Sequence, residues 1–202
     1  MTEEQVWINQ AQHGDKEAFA CLVEVYQTPV YNLCYRMLGE AEAAEDAAQE
    51  TFLKAFQHLS QYDSHRPFAT WLLSIAAHYC IDRLRRQRFI AFSLDDRHGD
   101  DENAETEWPD QNAPDPENET IRREEQRLIQ RALQALEPTD RAAIILRYWH
   151  QASEAEIAET LQLSVPAVKS RLYRARHILA RLWEQNTPAP KLRRKPYESP
   201  AF

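Results

Sequence analysis

The clearest pattern of side chains that could do chemistry lies near the C-terminal end, where basic and hydroxyl residues recur at helical spacing. At about 100° per residue, Val168, Leu172 and Ala175 fall on one side of a predicted helix. Arginine and lysine can contact phosphates and guanine edges in the major groove of DNA, and shorter polar side chains add hydrogen bonds. A basic face that is merely solvated is the alternative. The opposite side and its edges carry Pro166, Lys169, Ser170, Arg171, Tyr173, Arg174, Arg176, His177 and Arg181.

A second helix and a short turn precede this basic helix. Ser153 and Glu156 have the spacing of a capping box, which predicts a helix over about 153–161. Residues 161–164 form a short turn, and Ser164 can cap the next helix. Two helices joined in this way, the second of them basic, are typical of a helix-turn-helix, so the context favours DNA binding over a solvated face.

A second group of polar and aromatic side chains lies on the predicted helix that begins at Pro67. Trp71, Ser74, His78 and Arg85 form a stripe beside the expected core stripe. An aromatic ring with bases at helical spacing can stack on and follow an unpaired nucleic-acid strand. The alternatives are a core tryptophan and arginines that favour a helix C-terminus, although the helix dipole accounts for one or two arginines better than for four. The arginines are Arg83, Arg85, Arg86 and Arg88.

No arrangement of residues in the sequence is typical of an enzyme. His13, His58 and His65 fall at no metal-ligand spacing, and the sequence has no HExxH, GxSxG or glycine-rich phosphate loop. His78 and Cys80 are two residues apart on a predicted helix and therefore point in different directions. We therefore expect no catalytic residue, no metal site and no cofactor.

Cysteine usage and hydropathy indicate the compartment. Cys21, Cys34 and Cys80 are far apart and include no CxxC pair, which is typical of a reducing environment. No apolar run approaches the roughly eighteen residues needed to cross a bilayer, and the N-terminus lacks the basic, apolar start of a signal peptide. We therefore expect a cytoplasmic protein without membrane insertion.

Charge divides the chain, which has 202 residues and a formal net charge of −8. Residues 93–120 contain eleven acidic residues and one arginine, a net charge of −10, with few apolar residues. Such a segment buries too little surface to order itself, which predicts a flexible linker. From residue 164 to the end, nine basic residues outnumber two acidic ones, a net charge of +7. This asymmetry makes DNA binding compatible with an acidic total.

Three glycines and strong helical periodicity predict an all-α fold with two small helical domains. The first domain covers 1–92, the acidic linker 93–120 and the second domain 121–187, followed by a basic, proline-rich tail over 188–202 that we expect to be disordered. The expected helices cover about 15–26, 28–39, 42–59, 67 onwards, 121–136, 138–149, 153–161 and 165–185. The expected core stripe after Pro67 is Phe68, Leu72, Ile75 and Tyr79.

Six segments together point to one family. In the first domain they are GDKEAF at 14–19, AEDAAQETFLKAF at 44–56, RPFATWL at 66–72 and IDRLRR at 81–86. In the second domain they are EIAE at 156–159 and VKSRLYRAR at 168–176. In this order, the segments resemble the extracytoplasmic-function sigma factors, the small promoter-recognition subunits of bacterial RNA polymerase.

The resemblance implies a region 2-like helical bundle and a region 4-like helix-turn-helix in a sigma factor. Such a protein binds core RNA polymerase and directs promoter recognition, DNA melting and transcription initiation, and an anti-sigma protein is a further implied partner. Residues that match the polymerase-docking motif are Asp46, Gln49 and Glu50. Residues implied at the −35 element are Arg147, Pro166, Lys169, Ser170, Arg171, Tyr173, Arg174 and His177. Residues implied at the −10 element and in melting are His65, Arg66, Trp71, His78, Arg83, Arg85 and Arg86.

The chain departs from the family pattern at two positions. His78 stands where members often have Asn, so the resemblance does not specify the base captured at the −10 element. Gln162 stands where many members have Gly, at a possible left-handed turn position that costs a non-glycine residue about 1 kcal/mol. The acidic linker is either a polyanion that threads the polymerase or a plain tether, and the basic tail is a candidate for nonspecific DNA binding.

A conventional helix-turn-helix regulator that acts without replacing sigma is the alternative. It would share the C-terminal motif and would bind palindromic sites as a dimer. It gives no reason for the Asp46, Gln49 and Glu50 pattern or for the Trp71 stripe.

Overall fold

The computed structural model describes residues 2–94 and 116–186, with side chains described over 2–90 and 124–185. These ranges form α-helices and one short 3-10 turn, Leu59–Gln61, and contain no strand, which confirms the all-α prediction. Most of the predicted linker, 95–115, and the tail lie outside the described residues. The helices are α1 Glu3–Gln12, α2 Lys16–Leu38, α3 Ala41–His58, α4 Phe68–Leu94, α5 Pro116–Gln134, α6 Pro138–Tyr148, α7 Glu154–Thr160 and α8 Val165–Asn186.

Helices enter both ends of the segment predicted as linker. The backbone of α4 continues to Leu94, and α5 begins at Pro116, five residues before the expected start at 121. Proline is favoured at the first position of a helix because its missing N–H would have no partner there. None of the helices within the described ranges is long and apolar enough to cross a membrane.

The first helix begins at a capping box that the sequence analysis did not single out. The side chain of Thr2 accepts a hydrogen bond from the Gln5 backbone, and the Gln5 side chain accepts one from the Thr2 backbone. The Thr-x-x-Gln spacing is the signal that predicts this start. Ile8 and Ala11 then bury the inner face of α1.

The predicted break at Thr28 and Pro29 is wrong. Asp15 caps the start as expected, but α2 is one helix of 23 residues with Pro29 in its interior, and it ends at Gly39, whose φ is +89°. Proline lacks one intrahelical donor. Buried side chains on both sides of it, Leu22 and Leu33, pack into the same core, so tertiary packing outweighs the local preference.

The predicted core stripe of α4 is partly wrong. Phe68 and Leu72 are buried, but Ile75 and Tyr79 are only half-buried. The helix packs against α2 and α3 and also against α6 and α7, so a wide face that includes several small side chains is covered. Small side chains allow close approach of neighbouring helices, and this burial is not visible from the large residues alone. The other buried residues are Leu73, Ala76, Ala77, Cys80 and Ile81.

The second unit is built as its capping and turn signals predict. Ser153 caps α7 and exchanges two hydrogen bonds with Glu156, at 3.2 and 2.7 Å. Gln162 has φ +53°, which confirms the left-handed turn position, and Gln151, which the sequence analysis missed, has the same φ. The apolar stripe of α8 is confirmed by complete burial of its first members, Val168, Leu172 and Ala175.

The two units pack directly against each other, a feature that the sequence analysis did not predict. Buried apolar side chains of both units form one continuous cluster. The Arg141 side chain, 4% exposed, donates to the carbonyl of Met37 at the end of α2 and to the Gln134 carbonyl of its own unit, the latter at 2.8 Å. Gln130 donates to the carbonyls of Tyr35 and Arg36 at 3.3 and 3.2 Å. The second unit therefore supplies donors to carbonyls in the last turn of α2, where the helix itself offers few backbone donors.

Candidate nucleic-acid interface

The outer face of α8 is open to solvent. Pro166, Lys169, Ser170, Tyr173, Arg174 and His177 are all exposed, and Arg171 is half-buried at the edge. This confirms the predicted orientation of the helix, since the opposite stripe lies in the core. Exposed side chains with several donors on one continuous helix face can enter the major groove together.

A buried carboxylate organises two of the arginines on this helix. The Asp140 side chain, 1% exposed, accepts hydrogen bonds from Arg171 Nη1 at 2.7 Å and from Arg174 Nε at 2.8 Å and Nη2 at 3.1 Å. Burial would raise the pKa of Asp140, but the hydrogen bonds and charges of Arg174 and Arg171 outweigh it and lower that pKa. Asp140 was not among the predicted site residues; the signal that could have found it is a lone acidic residue in the first turn of α6.

The remaining candidates on the second unit make local contacts. Lys169 Nζ lies 3.6 Å from Glu154 Oε2 at the start of α7. The rings of Tyr173 and His177 lie 4.2 Å apart between centroids. Arg147 Nη1 donates to the carbonyl of Ala152 at 2.9 Å, so this arginine closes the loop before α7.

Trp71 lies in a group of aromatic rings at the start of α4. Its centroid is 5.1 Å from that of Tyr62 and 5.5 Å from that of Phe68. The Trp71 side chain is half-buried: it packs against the core of the first unit and is also partly exposed to solvent. The sequence analysis left a core role and a stacking role open, and this position is compatible with both.

A cavity of about 350 Å³ brings three of the −10 candidates together. Trp71, His78 and Arg86 line it from α4, while Lys54 and His58 line it from α3. The sequence analysis did not predict the contribution of α3, because Lys54 and His58 are far from α4 in the chain. Other residues of the lining are Ser74, Ile75, Tyr79, Asp82 and Gln162. Aromatic rings and cations in one concave site fit an unstacked nucleotide.

Four further −10 candidates lie outside this cavity. Arg66 Nε lies 3.0 Å from Glu159 Oε1, and Arg85 Nη2 donates to Thr139 Oγ1 at 3.4 Å. Both contacts join the first unit to the second. The other two candidates, His65, which is exposed, and Arg83, 3.9 Å from Asp46 Oδ2, make no contact to the second unit among those described.

The candidate polymerase-docking residues lie on α3, away from the cavity wall. Asp46, with its side chain 60% exposed, and Gln49 face solvent, whereas Glu50 is half-buried. Leu53, one turn further on, is also exposed. The face thus combines an acid, an amide and an apolar side chain.

An apolar groove in the second unit went unnoticed in the sequence analysis. It encloses about 560 Å³ between α5, α6 and α8. The amphipathic pattern of α5 and the tryptophans are the signals that could have found it, since exposed apolar patches of this kind mark docking sites. Its large, partly exposed side chains are Leu128, Ile129, Tyr148, Trp149 and Trp183.

Comparisons with known proteins match both units. The family model "Sigma-70 region 2" matches residues 22–90, and "Sigma-70, region 4" matches residues 126–179. The chain is 38% identical over 178 residues to the ECF RNA polymerase sigma factor SigW of Bacillus subtilis, which covers 85% of this chain and 92% of that protein. It is 31% identical over 177 residues to the RNA polymerase sigma-H factor of Pseudomonas aeruginosa, which covers 88% of this chain and 92% of that protein.

Two solved structures share the fold. CnrH in complex with the cytosolic domain of CnrY matches with a TM-score of 0.65 at 24% identity, over 92% of this chain and 100% of that one. The sigma factor RpoE in complex with the anti-sigma factor NepR from Bartonella quintana matches with a TM-score of 0.61 at 20% identity, over 84% of this chain and 98% of that one.

Proposed function

We propose, from the premise that this chain belongs to the extracytoplasmic-function sigma factor family, that it binds core RNA polymerase and directs it to promoters. The first unit serves the −10 element and DNA melting, and the second serves the −35 element. The observation that carries this proposal is the presence of two distinct surfaces, an exposed donor-rich helix face and a separate concave aromatic site.

The chemistry of the two surfaces differs in the way that promoter recognition requires. The α8 face presents donors and a ring to the edges of paired bases, through Lys169, Ser170, Tyr173 and Arg174. The cavity beside Trp71 is concave and cationic, which suits a base extruded from the duplex. Extrusion costs a few kcal/mol, and stacking against the indole offsets part of that cost.

Docking on the polymerase is assigned to the outer face of α3. Asp46 and Gln49 offer acceptors to a basic partner, and the half-buried Glu50 adds charge beneath them. This face lies on α3 of the first unit and the basic face on α8 of the second, so the two proposed binding surfaces share no residue.

The protein acts without catalysing a reaction of its own and works in the cytoplasm, where promoter DNA and polymerase meet. Regulation by an anti-sigma protein completes the proposal. It is supported by the structure of RpoE, a sigma factor bound to an anti-sigma factor, and by that of CnrH, which has the same fold and also holds a bound partner.

A conventional helix-turn-helix regulator is not favoured, because the region 2 match over 22–90 has no counterpart in such a protein.

In vitro transcription with sigma-free core polymerase tests the proposal. Adding the protein should start a promoter-specific transcript, and Trp71→Ala should lose more activity on duplex templates than on a template premelted over the −10 element. Trp7→Ala, which removes another half-buried tryptophan that does not line the cavity, is the matched control. Absence of any promoter-specific transcript with the unaltered protein would reject the proposal.

A further inference from the structure

We propose that Asp140 is a positioning residue for −35 recognition, which holds the guanidinium of Arg174 so that its outer edge can read a guanine. This inference rests on the proposed function, because it assigns a role to a residue that supports the α8 face rather than one that touches DNA. It concerns a contact that neither the family match nor the sequence analysis includes.

The geometry of the contact is bidentate. Asp140 Oδ2 accepts from Arg174 Nε at 2.8 Å, and Oδ1 accepts from Arg174 Nη2 at 3.1 Å. The carboxylate is buried at the start of α6, whereas the Arg174 side chain is 53% exposed. A buried carboxylate therefore binds one edge of the Arg174 guanidinium, while the rest of that side chain extends to the surface of α8.

The two hydrogen bonds to Asp140 leave the outer edge of the Arg174 guanidinium available for DNA. A guanidinium has five N–H donors, and Asp140 takes the one on Nε and one on Nη2. Three donors remain, and two of them, one on Nη1 and the second on Nη2, form the end-on fork that matches the O6 and N7 acceptors of guanine. An arginine held on one edge and free on the other is thus ready for a bidentate base contact.

Holding the side chain also removes a cost of binding. A long exposed side chain loses rotamer freedom when it orders against DNA. In this unit that freedom is already restricted by a planar, two-point contact, and the fork is preorganised. Asp140 Oδ1 also accepts a hydrogen bond from Arg171 Nη1 at 2.7 Å, and this contact fixes the orientation of the carboxylate.

A purely structural role is the competing explanation. Asp140 joins α6 to α8, so its loss could weaken the unit without altering how Arg174 meets DNA. A readout of base preference separates the two, because a stability loss lowers binding to all sequences alike. Ile145→Ala, which removes a fully buried side chain from the same helix without touching Arg174, provides the matched stability control.

The test uses full-length protein with core polymerase on promoters in which each −35 position is varied. Asp140→Asn should lower activity about tenfold at the position where guanine is preferred and should flatten the preference there, as Arg174→Ala does. Adding Asp140→Asn to Arg174→Ala should change little further, because the first acts through the second. Ile145→Ala should lower activity without altering base preference.

Three results would overturn the proposal. They are additive effects of the two substitutions, unchanged base preference in Asp140→Asn, and higher activity of Asp140→Asn on the guanine-containing promoter. If Asp140→Asn fails to fold, Asp140→Glu keeps the charge on a longer arm and should show a smaller change at the same position. A wild-type protein that starts no transcript refutes the proposed function instead, so the two failures are distinct.

Discussion

Burial of the His150 imidazole resists its protonation in the folded protein. Its Nε2 is buried with no hydrogen-bond partner within the described part of the chain. Burial, together with the nearby charge of Arg36, lowers the pKa of His150 to about 4. The imidazole is therefore neutral in the folded protein at pH values where it is already charged in the unfolded chain.

This residue should make stability fall on mild acidification. Below about pH 6.5 the unfolded chain binds a proton that the folded protein does not, so the contribution of His150 is full above pH 6.5 and declines down to about pH 4. His150→Phe keeps a ring of similar size but does not titrate. Urea unfolding at several pH values should show the wild type losing up to about 3 kcal/mol relative to this variant over that window. Parallel pH profiles for the two proteins would contradict the prediction.

Gln162 carries strain that glycine would relieve. Its φ of +53° lies in the left-handed region, which costs a residue with a Cβ about 1 kcal/mol. Gln162→Gly should therefore raise the free energy of unfolding by roughly 0.5–1 kcal/mol in chemical denaturation. Gln162→Ala removes the same side chain but keeps the Cβ, so it should change stability little. Equal effects of the two substitutions would show that the backbone is not the cause.

At the scale of elements, the unbroken α2 shows how packing overrides a local signal. Pro29 lies in the interior of the helix, where it lacks a donor, yet the chain continues helically for nine more residues to Leu38. The helix persists because Val30, Leu33 and Cys34 are completely buried after the proline. Burial of each large side chain contributes on the order of 2 kcal/mol.

Pro29→Ala should stabilise the protein by about 1 kcal/mol or more, because it restores an intrahelical hydrogen bond. Pro166, in the first turn of α8, needs no such bond, so Pro166→Ala should have little effect on stability. Thermal unfolding of both variants measures the difference. A destabilised Pro29→Ala would contradict the prediction and indicate that the proline ring itself contributes to the packing of α2.

At the scale of the whole molecule, the second unit covers part of the proposed −10 surface of the first. Glu159 pairs with Arg66, Thr139 accepts from Arg85, and Gln162 lines the cavity that contains Trp71. A further pair, Arg88 Nη1 to Glu137 Oε1 at 2.8 Å, lies beside them. A strand that enters the cavity therefore competes with contacts between the units.

Weakening these contacts should favour single-strand binding. Glu137→Gln with Glu159→Gln removes the partners of two arginines and should tighten binding to a single-stranded −10 oligonucleotide about threefold, measured by fluorescence anisotropy. Glu24→Gln with Glu125→Gln makes the same change in net charge at exposed positions and is the control. If the control tightens binding equally, total charge rather than closure is responsible.

The contact between the units is also held by groups that do not face DNA. Arg141 donates to the Met37 carbonyl, and burial lowers its pKa to about 10, so the guanidinium remains charged at neutral pH. Its Nε has no hydrogen-bond partner among the described residues. A buried charge with one unmet donor is a costly contact, which makes this interface easier to open than its apolar area alone would indicate.

Periodicity, capping residues and motif spacing in the sequence by themselves determined the helical class, the positions of α7 and α8, and the exposed face of α8. These features depend on interactions between residues only a few positions apart, so short sequence patterns are enough to predict them. The left-handed turn at Gln162 belongs to the same group.

Only the tertiary structure decided the continuity of α2, the buried face of α4, the cavity shared by α3 and α4, and the packing of the two units. Each of these depends on residues far apart in the chain: Lys54 of α3 contacts Tyr79 of α4, and Arg141 of the second unit contacts Met37 of the first. Burial free energy is set by what covers a side chain rather than by its neighbours in sequence, so periodicity could not specify which faces would meet.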